Sequence, residues 1–319
     1  MDQINKTSPE DNKREPKVVI LIPCLNEEHS IAKVIQDFKA RIPEAEVIVF
    51  DNGSTDRSVE IATTEGAKIY HEKRRGKGLV VQSMFQKIDA DIFVMVDGDD
   101  TYPADRVRAL IEPVRLDQAD MVTGSRILEG ESQFRWLNRL GNLFFQNLIN
   151  FIFKSKLTDI LSGYRCMNRK VVKRLPLFAR GFDIEVELTV KALERRYRLA
   201  EIPVVLRSRP KGSFSKIRVV SDGIKILTMI FALMRDYKPF TTFGALGLLF
   251  MGTGLIPGIY AVIGFLETGL VERFPSAILS VGMILSGLLS ITVGLILHTI
   301  NRRFHEMEYL MGINSRDSD

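Results

Sequence analysis

Cysteine is scarce in this sequence. The 319 residues hold two, Cys24 and Cys166. Neither belongs to a CxxC pair, so neither a disulfide framework nor a cysteine zinc site is expected, and a reducing compartment fits. No GxGxxG follows the first apolar run, which leaves a dinucleotide cofactor unsupported, and RGKG at 75–78 is too short to stand in for it. Excess charge is small as well: the formal net charge of +5 is too mild to argue for nucleic acid. The opening MDQINKTSPEDNKREPK lacks an apolar core segment. It does not read as a signal peptide, and residues 1–16 are expected to be a disordered lead-in on the cytoplasmic side.

Charge is missing altogether from two long stretches near the C-terminus. FGALGLLFMGTGLIPGIYAVIGFL (243–266) has none, and PSAILSVGMILSGLLSITVGLILHTI (275–300) has only His298 near its end. Each is long enough to cross a ~30 Å hydrocarbon core as a helix. Arg235 and Lys238 precede the first, and Arg302 and Arg303 follow the second. The distribution of basic residues then places both ends in the cytoplasm, as a two-helix hairpin spanning 241–301 with a cytoplasmic tail at 302–319. Two amphipathic stretches, 133–154 with Trp136 and several Phe, and 220–240, are expected to lie along the membrane surface. Glycine-rich faces on the hairpin suggest a homo-oligomer.

The rest of the chain alternates. KVVILIP (17–23), EVIVFD (46–51), AKIYH (67–71), DIFVMVD (91–97) and DMVTGS (120–125) read as strands. EHSIAKVIQDFKARI (28–42), STDRSVEIATTEG (54–66) and GLVVQSMFQKI (78–88) read as helices, the second capped by Ser54 or Thr55 and stopped by Gly66. This is the pattern of an α/β domain over residues 17–219, with an open, mainly parallel, Rossmann-like sheet. Ligands bind such sheets beyond the carboxyl ends of the strands. Asn26, Glu27, Asp51, Asp97 and Asp99 stand at those ends.

FVMVDGDDTYP (93–103) gathers Asp97, Asp99 and Asp100 at the end of a buried strand. Like charges this close raise each other's pKa unless something positive is shared. A divalent cation, Mg2+ or Mn2+, held by one or two carboxylates and completed by substrate phosphates would supply it. That points to a diphosphate site with a Lewis acid at the leaving group.

Taken in order, IPCLNEE (22–28), VFDNGSTDRS (49–58), RRGKG (74–78), VDGDDTYP (96–103), TGSR (123–126), DILSGYR (159–165), GFDIEVEL (181–188) and EIPV followed by RSRPKGSFSKIR (201–218) resemble family 2 glycosyltransferases of the inverting, metal-dependent type. Within that family they are similar to the polyprenyl-phosphate branch that includes dolichyl-phosphate mannose synthase. The resemblance covers about residues 17–220 plus the hairpin, and it implies a glycosyltransferase A-type fold. It further implies that Pro23, Asn26, Glu27, Asp51, Lys77, Arg207 and Lys211 meet the nucleotide sugar, and that Asp97 and Asp99 hold the metal, with Thr101 as a further candidate and Asp100 behind them or capping a helix. QFRW (133–136) looks like the QxxRW of processive synthases, but its spacing is one residue short and its place in the chain differs.

A lipid phosphate acceptor is already an anion and needs cationic side chains rather than a base. Arg126, Arg139, Arg165, Ser162 and Lys216 are the expected acceptor-phosphate group, with Arg209 and Arg218 in the same basic run and Gly212-Ser213 as the hinge of a lid. Asp159 is expected near the reacting centre, orienting an arginine such as Arg165 or touching sugar hydroxyls. Asp183, Glu185 and Glu187 share a helix; Glu185 or Glu187 is expected to face the site, and at least one of the two to lie on an exposed helix face. The expected activity is transfer of a hexose, with UDP-glucose the favoured donor, to polyprenyl phosphate at the cytoplasmic face of the inner (plasma) membrane. The expected catalytic group is Asp97, Asp99, Asp159, Arg126 and Arg165. A GDP-mannose donor, a lipid hydroxyl acceptor and a non-catalytic nucleotide-sugar-binding scaffold are the alternatives. A tetramer is plausible by resemblance.

Overall fold

A computed structural model describes residues 15–127, 136–181, 183–207, 228, 231–232, 234–270 and 273–314. They divide into two compact units, one ending at Ile226 and one beginning at Leu227. In the first unit the apolar runs become β1 (Val18–Cys24), β2 (Glu46–Asp51), β3 (Lys68–His71), β4 (Ile92–Met95) and β5 (Met121–Ile127). The helices between them are α1 (Ile31–Arg41), α2 (Ser58–Thr64), α3 (Lys77–Lys87) and α4 (Val107–Arg115). There follow α5 (Trp136–Phe153), β6 (Arg165–Asn168), α6 (Arg169–Arg174), α7 (Ile184–Glu194) and β7 (Leu199–Val205).

The seven strands form one sheet in the order β3-β2-β1-β4-β6-β5-β7. All run parallel except β6, which is antiparallel to both β4 and β5. The central strands are buried on both faces, as near-continuous apolar runs require. Every residue of β4 is buried, and Ile20, Leu21, Val49 and Phe50 are fully enclosed. Register carries the chemistry to one edge. Cys24 lies opposite Asp51, and Asp51 opposite His71, so the carboxyl ends of β1, β2 and β3 finish level.

Helix α2 starts at Ser58, later than the capping pattern predicts. Residues 54 and 55 are held by Asn26 instead: the Asn26 N–H donates to Ser54 Oγ (3.0 Å) and the Thr55 N–H to Asn26 Oδ1 (2.8 Å). Asp56 receives the Ser58 N–H (3.0 Å) at the helix start. Gly66 ends the turn at φ +71°, as expected.

The second unit contains two helices long and apolar enough to cross a membrane, α8 (Pro239–Thr268) and the first 31 residues of α9 (Phe274–Asn314), with mean hydropathy 1.9 and 2.1 in their most apolar windows. They pack through glycine: a Cβ on Gly247 would stand 2.6 Å from the Gly287 carbonyl oxygen. Small residues that let backbones approach are the usual means of joining apolar helices. At 41 residues α9 is about 60 Å long. It therefore outruns a ~30 Å hydrocarbon layer, and its last turns carry the Arg302–Glu306 and Arg303–Glu306 pairs.

Candidate active site

The carboxyl edge of the sheet opens with a rigid nucleus around Asp51. This residue is 4% exposed and accepts from the backbone N–H of Gly53 (3.0 Å) and of Ser54 (2.9 Å), with His71 Nδ1 at 3.3 Å. Burial alone would raise its pKa. The hydrogen bonds from Ser54, His71 and Gly53 outweigh burial and hold the carboxyl below its ordinary value. Asn26, at φ +51°, is fixed by residues 54 and 55, and the Glu27 N–H donates to Ser58 Oγ (2.7 Å). Pro23 lies on β1 opposite Phe50. Arg75, which sequence reasoning passed over, lays its guanidinium against Gly53, 3.4 Å from where a Cβ would be. It is exposed and has no ion pair or hydrogen bond among the described residues.

The clustered aspartates each have a separate partner. Asp97 Oδ1 lies 2.5 Å from Lys77 Nζ, which is also 2.7 Å from Glu185 Oε1. Burial works against the charge on Lys77, but Asp97 and Glu185 overcome it and raise its pKa well above the usual lysine value. Burial pushes the Glu185 carboxyl up, and the pull of Lys77 only partly offsets it. Asp99 Oδ1 accepts from Thr101, from its N–H at 3.2 Å and its hydroxyl at 2.6 Å, so Thr101 orients Asp99. Asp100, at φ +55°, is bound by Lys33 (2.8 Å) and Arg207 (3.1 Å).

The glycines of RRGKG have a structural reason. A Cβ on Gly76 would come 2.1 Å from the Arg180 carbonyl oxygen, and one on Gly78 2.2 Å from that of Ala179. The segment before α7 crosses here, and only glycine leaves room.

A second cluster surrounds the DILSGYR turn. Asp159, 5% exposed, takes Arg126 in a bidentate pair, Nε to Oδ2 at 2.6 Å and Nη2 to Oδ1 at 2.8 Å. It also accepts the N–H groups of Arg126 (3.1 Å) and Leu161 (3.0 Å). Glu201 on β7 braces the turn by accepting the N–H of Thr158 (2.8 Å) and of Asp159 (3.0 Å). Sequence reasoning noted its EIPV motif but gave Glu201 no role.

Several expectations need correction. Asp159 orients Arg126, not Arg165. Arg165 is fully buried and does not reach the crevice. Its Nε donates to Ser162 O, Nη2 to Ile160 O and Glu185 O, and Nη1 to Thr189 Oγ1, with Met121 Sδ at 3.7 Å. Ser162 is enclosed too, its hydroxyl donating to Gly124 O (2.6 Å) and accepting the Tyr164 N–H. Arg207 is held through Nη1 by Asp37 (2.7 Å) and Asp100 (3.1 Å), so it pairs with carboxylates of the sheet domain. Neither Glu185 nor Glu187 is exposed, and Asp183 is half-buried: Glu187 accepts from the N–H groups of Phe178 and Ala179 and pairs with Lys191. Arg209, Lys211, Gly212, Ser213, Lys216 and Arg218 lie outside the described residues, as does the side chain of Arg139 on α5.

No three His, Cys, Asp or Glu side chains converge as a metal cage among the described residues. The donor set of Asp97 and Asp99 fits a hard cation that keeps most of its shell for water and ligand phosphate oxygens, as magnesium does.

The Glycosyl transferase family 2 model matches residues 19–175. Among curated relatives, Glycosyltransferase AglJ of Haloferax volcanii is 33% identical over 76% of this chain and 80% of its own length. The dolichyl-phosphate hexose transferase of the same organism is 31% identical over 60% of this chain and 83% of its own. Among solved structures, glucosyl-3-phosphoglycerate synthase from Mycobacterium tuberculosis, crystallised with Mn2+, uridine diphosphate and glucosyl-3-phosphoglycerate, superposes with a TM-score of 0.58 at 21% identity, covering 69% of this chain and 80% of that one. At that identity the likeness establishes the fold alone.

Proposed function

Because this chain belongs to glycosyl transferase family 2 and is a glycosyltransferase acting on nucleotide sugars, we propose that it transfers a hexose from UDP-glucose to polyprenyl phosphate. The acceptor oxygen attacks the anomeric carbon as the bond to the diphosphate breaks. The configuration inverts, the diphosphate departs with the bonding pair, and no proton has to move. One observation carries the choice of acceptor. Asp159 is the carboxylate expected beside the reacting centre, and both its oxygens are occupied by Arg126 and backbone N–H groups. A carboxylate so engaged orients a cation for an anionic acceptor, and it is poorly disposed to take a proton from a hydroxyl. The name of the dolichyl-phosphate hexose transferase relative agrees with that acceptor.

Asp51, Asn26 and Glu27 build the nucleoside end, and Arg75 meets the diphosphate alongside Lys77. Asp97 and Asp99 would hold Mg2+ or Mn2+, which would supply positive charge against the diphosphate leaving group. The α8–α9 hairpin fixes the enzyme in the inner (plasma) membrane with its catalytic domain in the cytoplasm, α5 rests on the lipid surface, and Gly-rich helix faces favour a homo-oligomer.

A donor screen tests this. Purified protein receives undecaprenyl phosphate, Mg2+ or Mn2+, and radiolabelled UDP-glucose, UDP-galactose, UDP-N-acetylglucosamine or GDP-mannose in turn. Label in the organic phase from UDP-glucose, lost with chelator or Asp99→Ala, is the expected result. Label from GDP-mannose alone would move the donor assignment, and none from any donor would reject the acceptor.

Gly163 supplies a finer check. A Cβ there would lie 2.5 Å from Asp97 Oδ2, so alanine must displace that carboxylate. Gly163→Ala is expected to slow transfer about ten- to hundredfold, the usual penalty of a small misplacement at a reacting centre, with little change in melting temperature. A wild-type rate would mean that Asp97 stands away from the chemistry.

A further inference from the structure

Lys77 occupies a position that helix electrostatics disfavours. It is the first residue of α3, where the helix dipole repels a cation. Its side chain is nonetheless 12% exposed and bridges two carboxylates, Asp97 and Glu185, the latter itself 4% exposed. The bridge is built rather than incidental. The Gly78 N–H donates to Arg180 O (3.2 Å), which ties the start of α3 to the segment entering α7. Glu185 sits in the first turn of α7, where a carboxylate is favoured, and its carbonyl is fixed by Arg165 and Thr189. The transfer chemistry itself assigns Glu185 no task.

Charge counting suggests one. Asp97, Asp99 and Glu185 with Lys77 carry a formal −2, which a divalent cation cancels. Lys77 alone against Asp97 would compete with that cation and have nowhere buried to go. We propose that Glu185 is a positioning residue that holds Lys77 off Asp97 once a divalent cation binds, and so sets the cation affinity of the site; this rests on the metal reading of Asp97 and Asp99. Between cations, Lys77 keeps Asp97 in place as its counter-ion. When the cation arrives, the ammonium shifts toward Glu185 and remains beside the diphosphate.

The two partners of the bridge should therefore act in opposite directions, which a general loss of structure cannot do. Mn2+ binding to the full chain in detergent, without donor, is read by electron paramagnetic resonance. Glu185→Gln should weaken Mn2+ about tenfold or more, the effect of one charge a few ångströms from a divalent ion even at high dielectric. Glu185→Asp should restore most of that affinity. Lys77→Met should tighten Mn2+ by a similar factor, and Mn2+ should raise its melting temperature by more than that of the wild type, because the cation relieves two unpaired carboxylates. Wild-type affinity in Glu185→Gln, or weaker binding in Lys77→Met, would overturn the proposal while leaving the metal site intact. Wild-type protein that binds no Mn2+, or binding indifferent to Asp99→Asn, would overturn the metal reading and the proposal together.

Discussion

Leucine at position 165 is expected to unfold the sheet domain. Arg165 is the largest fully buried side chain among the described residues, and its donors satisfy the carbonyls of Ile160, Ser162 and Glu185 together with the Thr189 hydroxyl. Burial lowers the pKa of its guanidinium, with Glu185, Asp159, Tyr102 and Glu201 opposing that shift. Leucine removes every donor at once. The Glu185 carbonyl keeps the Thr189 hydroxyl, but the Ile160 and Ser162 carbonyls and the Thr189 oxygen lose their donor at about 1–3 kcal/mol each, so the total reaches about 3–9 kcal/mol, comparable with the whole stability of many domains. Lysine keeps the charge but not the fork that spans several carbonyls, and should recover little. Circular dichroism and thermal melting of the two variants check this. A leucine variant that melts near the wild type and still binds UDP would return Arg165 to the list of acceptor ligands.

That outcome matters because Arg165 marks where sequence reasoning reached its limit. Strands β1, β2 and β4 were legible because burial on both faces leaves a continuous apolar signature, and β2 begins and ends where EVIVFD does. Strand β6 has no such signature. It is four residues long, starts with a buried arginine, and enters the sheet antiparallel between β4 and β5. Strand β7 was hidden by Glu201 and Pro203, which suit a half-buried edge rather than a core strand. At the site, the strand-end aspartates were visible because they interrupt an apolar run. Their partners were not. Lys77 meets Glu185, and Arg126 meets Asp159, only through the closing of the sheet, and an arginine in a basic motif looks the same whether it faces a ligand or a ring of carbonyls. Arg165 and Arg126 differ in their neighbours, not in their local sequence.

Arg126 is where that difference should be largest in activity. If the acceptor arrives as an anion, its guanidinium is what the acceptor needs, and Asp159 only aims it. Arg126→Met should then reduce transfer about a thousandfold, the upper range for loss of one well-placed charge-stabilising donor. Asp159→Asn should cost about ten- to hundredfold, because it loosens the pair without removing the cation. A hydroxyl acceptor would reverse the order: the asparagine variant would be the dead one, and its loss would track a missing base. Folding has to be separated from chemistry here, since Arg126→Met strands a carboxylate that is 5% exposed, and breaking a buried pair costs about 3–5 kcal/mol. Arg126→Met/Asp159→Leu removes both charges and should regain stability without regaining transfer. Rates are to be compared among variants that bind UDP as the wild type does. An Asp159→Asn enzyme more impaired than Arg126→Met would reject the phosphate acceptor, because only an acceptor that must lose a proton makes the carboxylate the more important of the two.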